Sequence, residues 1–596
     1  MIASLPNQPL SDALARWGTA PHRLLQLLRE LQEAHGYLPP SSLQALAGAL
    51  QVPLAHVRGV ASFYSFLRLE PYGAYRVLFS DAVTDRMQGS EALIERLCGR
   101  VWAEPGRISL DGLVSVDRTS CTGLCDQGPA ALINGRPLPR LDASAIDRIA
   151  DLILARRPLA AWPDDLFRVD DPIYRADVLL GHTLQPGEAI EAARSHRTQT
   201  ALFAELEASG LRGRGGAGFP TAEKWRRCGA APATQRYIVC NADEGEPGTF
   251  KDRVLLSRHP DLVFEGMTIA GHAVGATRGL LYLRGEYRFL LERLEDVLAR
   301  RRAAGLLGAV AGGGPAFDVE IHVGAGSYVC GEETALLESL EGRRGIPRNR
   351  PPYPVTHGYL GSPTVVDNVE TLCAAALVMA RGAAAYRRLG TPASAGTKIL
   401  SVAGDCERRG LFEYPFGVTV REVLDAAGAM DPIAVQVGGP SGTCICEDEF
   451  DRRIAFEDLA TGGAFTIFGR GRDLFEVARG HTHFFAHESC GFCTPCRVGT
   501  GMLARIMDKI HDGHGTRYDL AELARLIDAL GQGAHCGLGH TAMNPVRDTL
   551  ARFAPAYERR LASTNFEPAF DLDAALAPAR RMTGRDDAGA HLGTKT

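Results

Sequence analysis

Long apolar runs are missing from the 596 residues. The best candidate, Ala374–Ala380, lies between Thr371 and Arg381, well short of the ~20 residues that cross a bilayer as a helix. A membrane-spanning helix is therefore excluded. A basic surplus is missing too: 65 Lys and Arg face 70 Asp and Glu, so the chain lacks the electrostatic footprint of a nucleic-acid binder. The opening MIASLPNQPL has no basic stretch before an apolar one. No secretory leader is read, and the expected compartment is the cytoplasm, where thiols stay reduced. The 14 cysteines are then not a disulfide framework. Compositional extremes are also absent, since 45% hydrophobic and 23% charged residues exclude a disordered or fibrous chain.

The chain is long enough for several cores. The patterning predicts a multi-domain α/β protein: a helical N-terminal unit over 1–72, a compact α/β domain over 73–160, a glycine-rich α/β region over 161–395, a small α+β module over 396–470, a helical domain over 471–562 and a frayed tail over 563–596. In the first unit, Ser41 or Ser42 stands where a helix cap is wanted. The Pro- and Asp-rich stretch from Trp162 to Pro172 reads as a linker.

Cys490, Cys493 and Cys496 form C-x2-C-x2-C, and Cys536 lies further on in AHCGLGH. Three thiolates at that spacing wrap three irons of a cubane and a distant fourth closes it, the ligand pattern of a [4Fe-4S] cluster. The alternative is a structural zinc site, which more often pairs two C-x2-C knuckles. Cys444 and Cys446, with no matching pair nearby, read as structural, as do Cys98, Cys228, Cys240, Cys330, Cys373 and Cys406.

Gly213, Gly215 and Gly218 spell G-x-G-x-x-G, but a helix precedes them and Phe219-Pro220 breaks the pattern directly after them, so the Rossmann reading fails. The glycines still allow close approach of backbone to a planar or phosphorylated ligand, with the Lys224 ammonium nearby. Asn241, Asp243, Glu244 and Glu246 come after a strand-like YIVC, and Tyr328, Glu332 and Glu333 sit at a loop-to-helix transition. A fourth run holds Arg350, Tyr353, Asp367 and Asn368. Converging glycine loops and acids beside a cluster motif point to a nucleotide-like redox cofactor wired to iron and sulfur.

RGRGGAGFPTAEKW, CNADEGEPGTFKDR, GSYVCGEETALLESLEG, GSPTVVDNVETL and ESCGFCTPCRVGTG resemble the NADH-oxidising flavoprotein subunit of respiratory complex I and its diaphorase relatives, over about 170–560. The region before them, with VRGVASFYSF and CTGLCDQGPAALING, is similar to that subunit's small thioredoxin-like partner, fused in front. The resemblance implies a thioredoxin-like domain, an FMN-binding domain, a ubiquitin-like (β-grasp) module and a helical iron–sulfur domain. It implies FMN held by Gly213, Gly215, Gly216, Lys224, Asn241, Asp243, Tyr328, Asp367 and Asn368. Arg214, Glu244, Gly331, Glu332 and Val366 complete the cofactor-binding set. NAD(H) is implied near Phe219, with Glu246, Glu333, Arg350 and Tyr353 around its ribose, phosphates and adenine. Relatives often carry an aromatic where this chain has Arg227.

The thioredoxin-like relatives hold a [2Fe-2S] cluster with two cysteine pairs. Cys121 and Cys125 match the second pair, but FSDAVTDRMQG has none for the first, so that cluster is not expected. This loss and the fusion look most like the diaphorase subunit of a cytoplasmic NAD-reducing nickel–iron hydrogenase. The implied partners are a small iron–sulfur diaphorase subunit and the nickel–iron subunits. The chain itself has no terminal metal site for hydrogen or formate chemistry. Rival readings are the diaphorase subunit of an NAD-linked formate dehydrogenase, a complex I flavoprotein subunit, and a scaffold without turnover.

Overall fold

The computed structural model describes residues 8–196, 198–308, 316–562 and 572–586. Its centre is a four-stranded parallel sheet of β6 (Tyr237–Ala242), β7 (Arg278–Leu283), β8 (Asp318–Val323) and β9 (Thr364–Asn368), in the order β8-β7-β6-β9. Because side chains alternate along a strand, Ile238, Cys240, Leu281 and Val365 enter one core. Val239, Leu280, Tyr282 and Val366 enter another. The first face is covered by helices of the same region, including Pro260–Val274 and Val369–Arg381.

The second face is covered from elsewhere. Leu24, Leu27, Leu28 and Leu31 of helix Leu24–His35 pack into the same core as Leu280 and Tyr282. The N-terminal helices, expected as a unit of their own, are thus the missing layer of the central domain, since a parallel sheet needs both faces covered. The helix at Pro40–Leu50 has no side-chain cap. Ser41 and Ser42 lie inside it, because Pro40 takes the first position, where an N–H is not needed.

Ahead of this sheet stand β1 (Tyr75–Ser80), β2 (Val114–Thr119), β3 (Ala131–Ile133) and β4 (Arg136–Leu138), ordered β2-β1-β3-β4. Helices Ser90–Val101 and Ala143–Leu154 pack on them through Ile94, Leu97, Ile146 and Ile149. The stretch expected as a linker is anchored instead: Trp162 and Leu166 are buried in this core, and the Trp162 indole N–H donates to the Arg157 carbonyl at 2.9 Å. Its proline and aspartate content hid two apolar anchors.

β5 (Ile173–Arg175) then joins the next module, pairing with β11 (Gly410–Pro415). That module also holds β10 (Thr397–Gly404), β12 (Pro432–Val437), β13 (Thr443–Cys446) and β14 (Ala464–Gly469), with helix Val420–Ala427. Helices Leu474–Glu488, Thr494–His511, Arg517–Gly533 and Asn544–Arg552 form the last bundle around Phe475, Leu503, Leu523, Leu530 and Tyr557. Within the segment expected as a frayed tail, Leu572–Thr583 is helical; 563–571 and 587–596 lie outside the described residues. Among the described residues, no helix is long and apolar enough to cross a membrane.

Candidate functional site

In the central sheet the chain runs outward from β6 through β7 to β8 and then returns to β9 on the other side of β6. In open parallel sheets such a reversal opens a crevice at the carboxyl ends of the strands. A cleft of about 520 Å³ lies there. Gly215, Gly216, Asn241, Asp243, Glu244, Glu246, Tyr328, Gly331, Glu332 and Asn368 line it. The sequence motifs that supply these residues are spread along the chain, and strand order brings them together.

Two polar atoms around the cleft, Asp243 Oδ2 and Thr249 Oγ1, are buried without a hydrogen-bond partner, and Glu332 Oε1 makes no hydrogen bond but faces Arg350 at 3.5 Å. Burial pushes the Asp243 and Glu246 carboxyls up from their usual range. Buried polar atoms of this kind are costly unless something else satisfies them. Gly216 has φ of +124°, and a Cβ at Gly245 would meet the Tyr328 ring at 3.0 Å. The backbone here is shaped for close approach, so donors, acceptors and glycine walls fit a flavin mononucleotide.

Other positions depart from expectation. The Arg214 guanidinium is buried and points into the fold, donating to the carbonyls of Thr397, Arg212 and Ala395 and to the Tyr386 hydroxyl. It is a structural strut rather than a cofactor contact. The Glu244 carboxylate is likewise engaged, accepting from the Asp252 and Arg253 amides and the Tyr287 hydroxyl.

Gly213, Lys224, Glu333, Val366 and Asp367 are not in the cleft wall. The Lys224 ammonium sits 3.3 Å from Glu333 and 3.6 Å from Asp367 and donates to the Val366 carbonyl. The Trp225 indole N–H holds Asp367 at 2.7 Å. Phe219 and Tyr353 are exposed outside the cleft. Arg350 lies 3.5 Å from Glu332, and Arg227 pairs with Glu223 at 2.6 Å.

Sequence reasoning missed Lys251. Its ammonium lines the cleft and lies 2.6 Å from Asp252 and 3.1 Å from both Asn368 and Glu370. Glu370 also pairs with Lys398, whose ammonium burial pushes down to about 7. A lysine inside an acidic loop was the available signal. Ser441, Thr461 and Thr541 were missed as well, because they reach the cleft from the later modules. The Ser441 amide and the Tyr328 hydroxyl hold the two oxygens of Glu246 at 2.8 and 2.5 Å.

Beside the cleft, Cys490, Cys493, Cys496 and Cys536 line one small cavity with Val329, Pro347, Ser489, Phe492, His535 and Leu538. Cys493 precedes the first turn of helix Thr494–His511 and Cys536 that of Gly537–Thr541. Burial pushes the Cys490 and Cys536 thiols up, and Cys496 to about 11, so the thiolates need a compensating cation. Among the described residues no three Cys, His, Asp or Glu converge on a single ion. All four cysteines line the same cavity, and three thiolates at this spacing with a distant fourth are the ligand set of a [4Fe-4S] cluster. Val329 and Leu538 line both the cavity and the cleft. Cys444 is buried with Phe468 and Leu474, and Cys446 contacts Glu449.

Comparisons agree with this layout. Residues 206–377 match the Nuo51 FMN-binding domain, 10–153 the thioredoxin-like [2Fe-2S] ferredoxin family and 476–560 the NADH-ubiquinone oxidoreductase-F iron-sulfur binding region. The chain is 41% identical to the NAD-reducing hydrogenase HoxS subunit alpha of Cupriavidus necator, over 95% of this chain and 97% of the relative. It is 43% identical to the NADP-reducing hydrogenase subunit HndC of Solidesulfovibrio fructosivorans, over 59% and 74%. A crystal structure of NAD+-reducing [NiFe]-hydrogenase in the H2-reduced state matches with a TM-score of 0.89 and 46% identity, covering 96% of this chain and 98% of that one. Near-complete mutual coverage in sequence and in fold places the chain in the family of the alpha subunit of NAD-reducing hydrogenases.

Proposed function

We propose that the chain is the diaphorase subunit of an NAD-reducing hydrogenase, a flavin and iron–sulfur oxidoreductase that exchanges a hydride with NAD(H) and single electrons with its partners. The supporting observation is the cleft at the strand reversal, with its orphaned acceptors, sharing Val329 and Leu538 with the four-cysteine cavity. When bound, FMN supplies the conversion between a two-electron hydride and one-electron steps.

The protein's task is positioning. Gly215, Gly216 and Gly245 keep the walls free of side chains, and Asp243 and Thr249 offer the unsatisfied polar atoms. Lys251 supplies the buried positive charge. No side chain is assigned as acid or base, because hydride transfer needs proximity and orientation and no proton. Phe219, Glu246, Glu333, Arg350 and Tyr353 are assigned to the NAD(H) side. The cluster ligands are Cys490, Cys493, Cys496 and Cys536. The proposed partners are a small iron–sulfur diaphorase subunit and nickel–iron subunits, in the cytoplasm.

Elemental analysis of the complex purified from its native host tests the reading. Nickel alongside iron supports it. Molybdenum or tungsten moves the chain to formate oxidation, and neither metal moves it to a complex I-like or free diaphorase. A colourless preparation that NADH does not bleach would leave only a scaffold.

A further inference from the structure

The thioredoxin-like domain matches [2Fe-2S] ferredoxins, and such a cluster needs four protein ligands. The residues present do not supply them. Cys121 and Cys125 are both buried, with their sulfurs 3.5 Å apart. The segment from β1 that faces them presents Ser80, Thr84 and Asp85. Both Asp85 oxygens are already engaged, by the Ser80 hydroxyl at 2.8 Å and the Ala130 amide at 2.9 Å. The Thr84 hydroxyl is turned to the same carboxylate, 3.4 Å from Asp85 Oδ2. Two thiols therefore remain next to each other with nothing to complete a cluster.

Their surroundings favour thiol chemistry. The Gly123 amide donates to Cys121 Sγ and the Gly248 amide to Cys125 Sγ, each at 3.3 Å. The hydrogen bond from Cys125, and after it the charge of Arg284, holds the Cys121 thiol down to about 7, while Cys125 is pushed up. A nucleophile is thus paired with a resolving thiol. Cys121 also lines a narrow cleft with Ser65, Arg284, Gly326 and Glu488. Its free space is about 20 Å³, which admits a water-sized molecule and excludes a peptide disulfide.

We propose that Cys121 and Cys125 are a redox-active dithiol, closed to an intramolecular disulfide by a small hydroperoxide, in the place where the domain's family holds a cluster. The Cys121 thiolate attacks one peroxide oxygen, forming an S–O bond as the O–O bond breaks and hydroxide leaves. Cys125 Sγ then attacks that sulfur, the S–S bond forms, and the oxygen leaves as water with the Cys125 proton. The two thiols lose two electrons and the peroxide gains them; a dithiol reductant reverses the change by exchange. The pair is tied to the flavin cleft, because Gly248 adjoins the acidic loop and Arg284 bonds both the Cys121 and Glu244 carbonyls.

The test treats the complete complex with a few equivalents of hydrogen peroxide, blocks free thiols with iodoacetamide and tracks the tryptic peptide Thr119–Arg140, whose only cysteines are this pair. The expected result is a peptide lighter by two hydrogens and unalkylated, returning to a doubly alkylated form after dithiothreitol. Cys125→Ser should instead yield a Cys121 sulfenic acid that dimedone captures. Wild-type peptide that stays doubly alkylated after peroxide would overturn the proposal. So would extra iron and sulfide in the wild-type chain that disappear in a Cys121→Ser, Cys125→Ser double variant.

Discussion

At Lys224 the local charge balance bears on which nicotinamide nucleotide is used. Glu333 and Asp367 together neutralise its ammonium. Glu333 is assigned to the NAD(H) side, where we propose that its carboxylate repels a 2'-phosphate. Glu333→Gln removes the repulsion and leaves Asp367 alone to balance Lys224, so kcat/KM for NADPH relative to NADH should rise about tenfold, or ~1.4 kcal/mol. An unchanged ratio in steady-state kinetics contradicts the assignment. His481 carries a second prediction. It is buried, its Nδ1 has no partner, and burial pushes it down to about 3. The unfolded chain takes up a proton near pH 6.5 and the folded chain does not, so stability falls as pH drops from about 6.5 toward 3, by up to ~1.4 kcal/mol per pH unit. His481→Leu should show a shallower acid limb in chemical denaturation; an equal limb rules this histidine out. The cluster cysteines were legible because ligand geometry dictates their spacing. Lys251, Ser441 and Thr541 were not, because other segments carry them to the cleft.

Among elements, β5 shows where local pattern runs out. Only three residues long, it pairs with β11 across more than two hundred positions. A buried carboxylate fixes the turn just after it: Glu413 accepts from the amides of Asp177, Leu179 and Leu180 at 2.8–2.9 Å and from the Thr397 hydroxyl. Glu413→Ala orphans three amides, which should cost about 3 kcal/mol or more. The urea midpoint should fall and proteolysis near 170–180 should speed up; a variant as stable as wild type refutes this role for Glu413. Helix Gln199–Ser209 and strand β6 were readable, as the helix ahead of the glycine loop and the strand-like YIVC. The Trp162 segment was misread because composition reports turns but not which tryptophan finds a core.

Over the whole molecule, the functional cleft belongs to no single unit. The central domain provides its floor, the β10–β14 module one wall through Ser441 and Thr461, and the cluster bundle another through Leu538 and Thr541. The N-terminal helices cover the far face of the sheet, so deleting 1–72 exposes Val239, Leu280 and Tyr282. Such a chain should aggregate on expression; a soluble monomer by gel filtration contradicts the shared core. Above all, the flavin cleft is wired to the four-cysteine cluster. The direct test is an anaerobic NADH titration of wild type and Cys536→Ala, monitored by flavin absorbance and electron paramagnetic resonance. Flavin bleaching is predicted in both, with a reduced-cluster signal in wild type alone. A cluster signal persisting in Cys536→Ala, or a wild-type flavin that NADH leaves oxidised, would contradict that wiring.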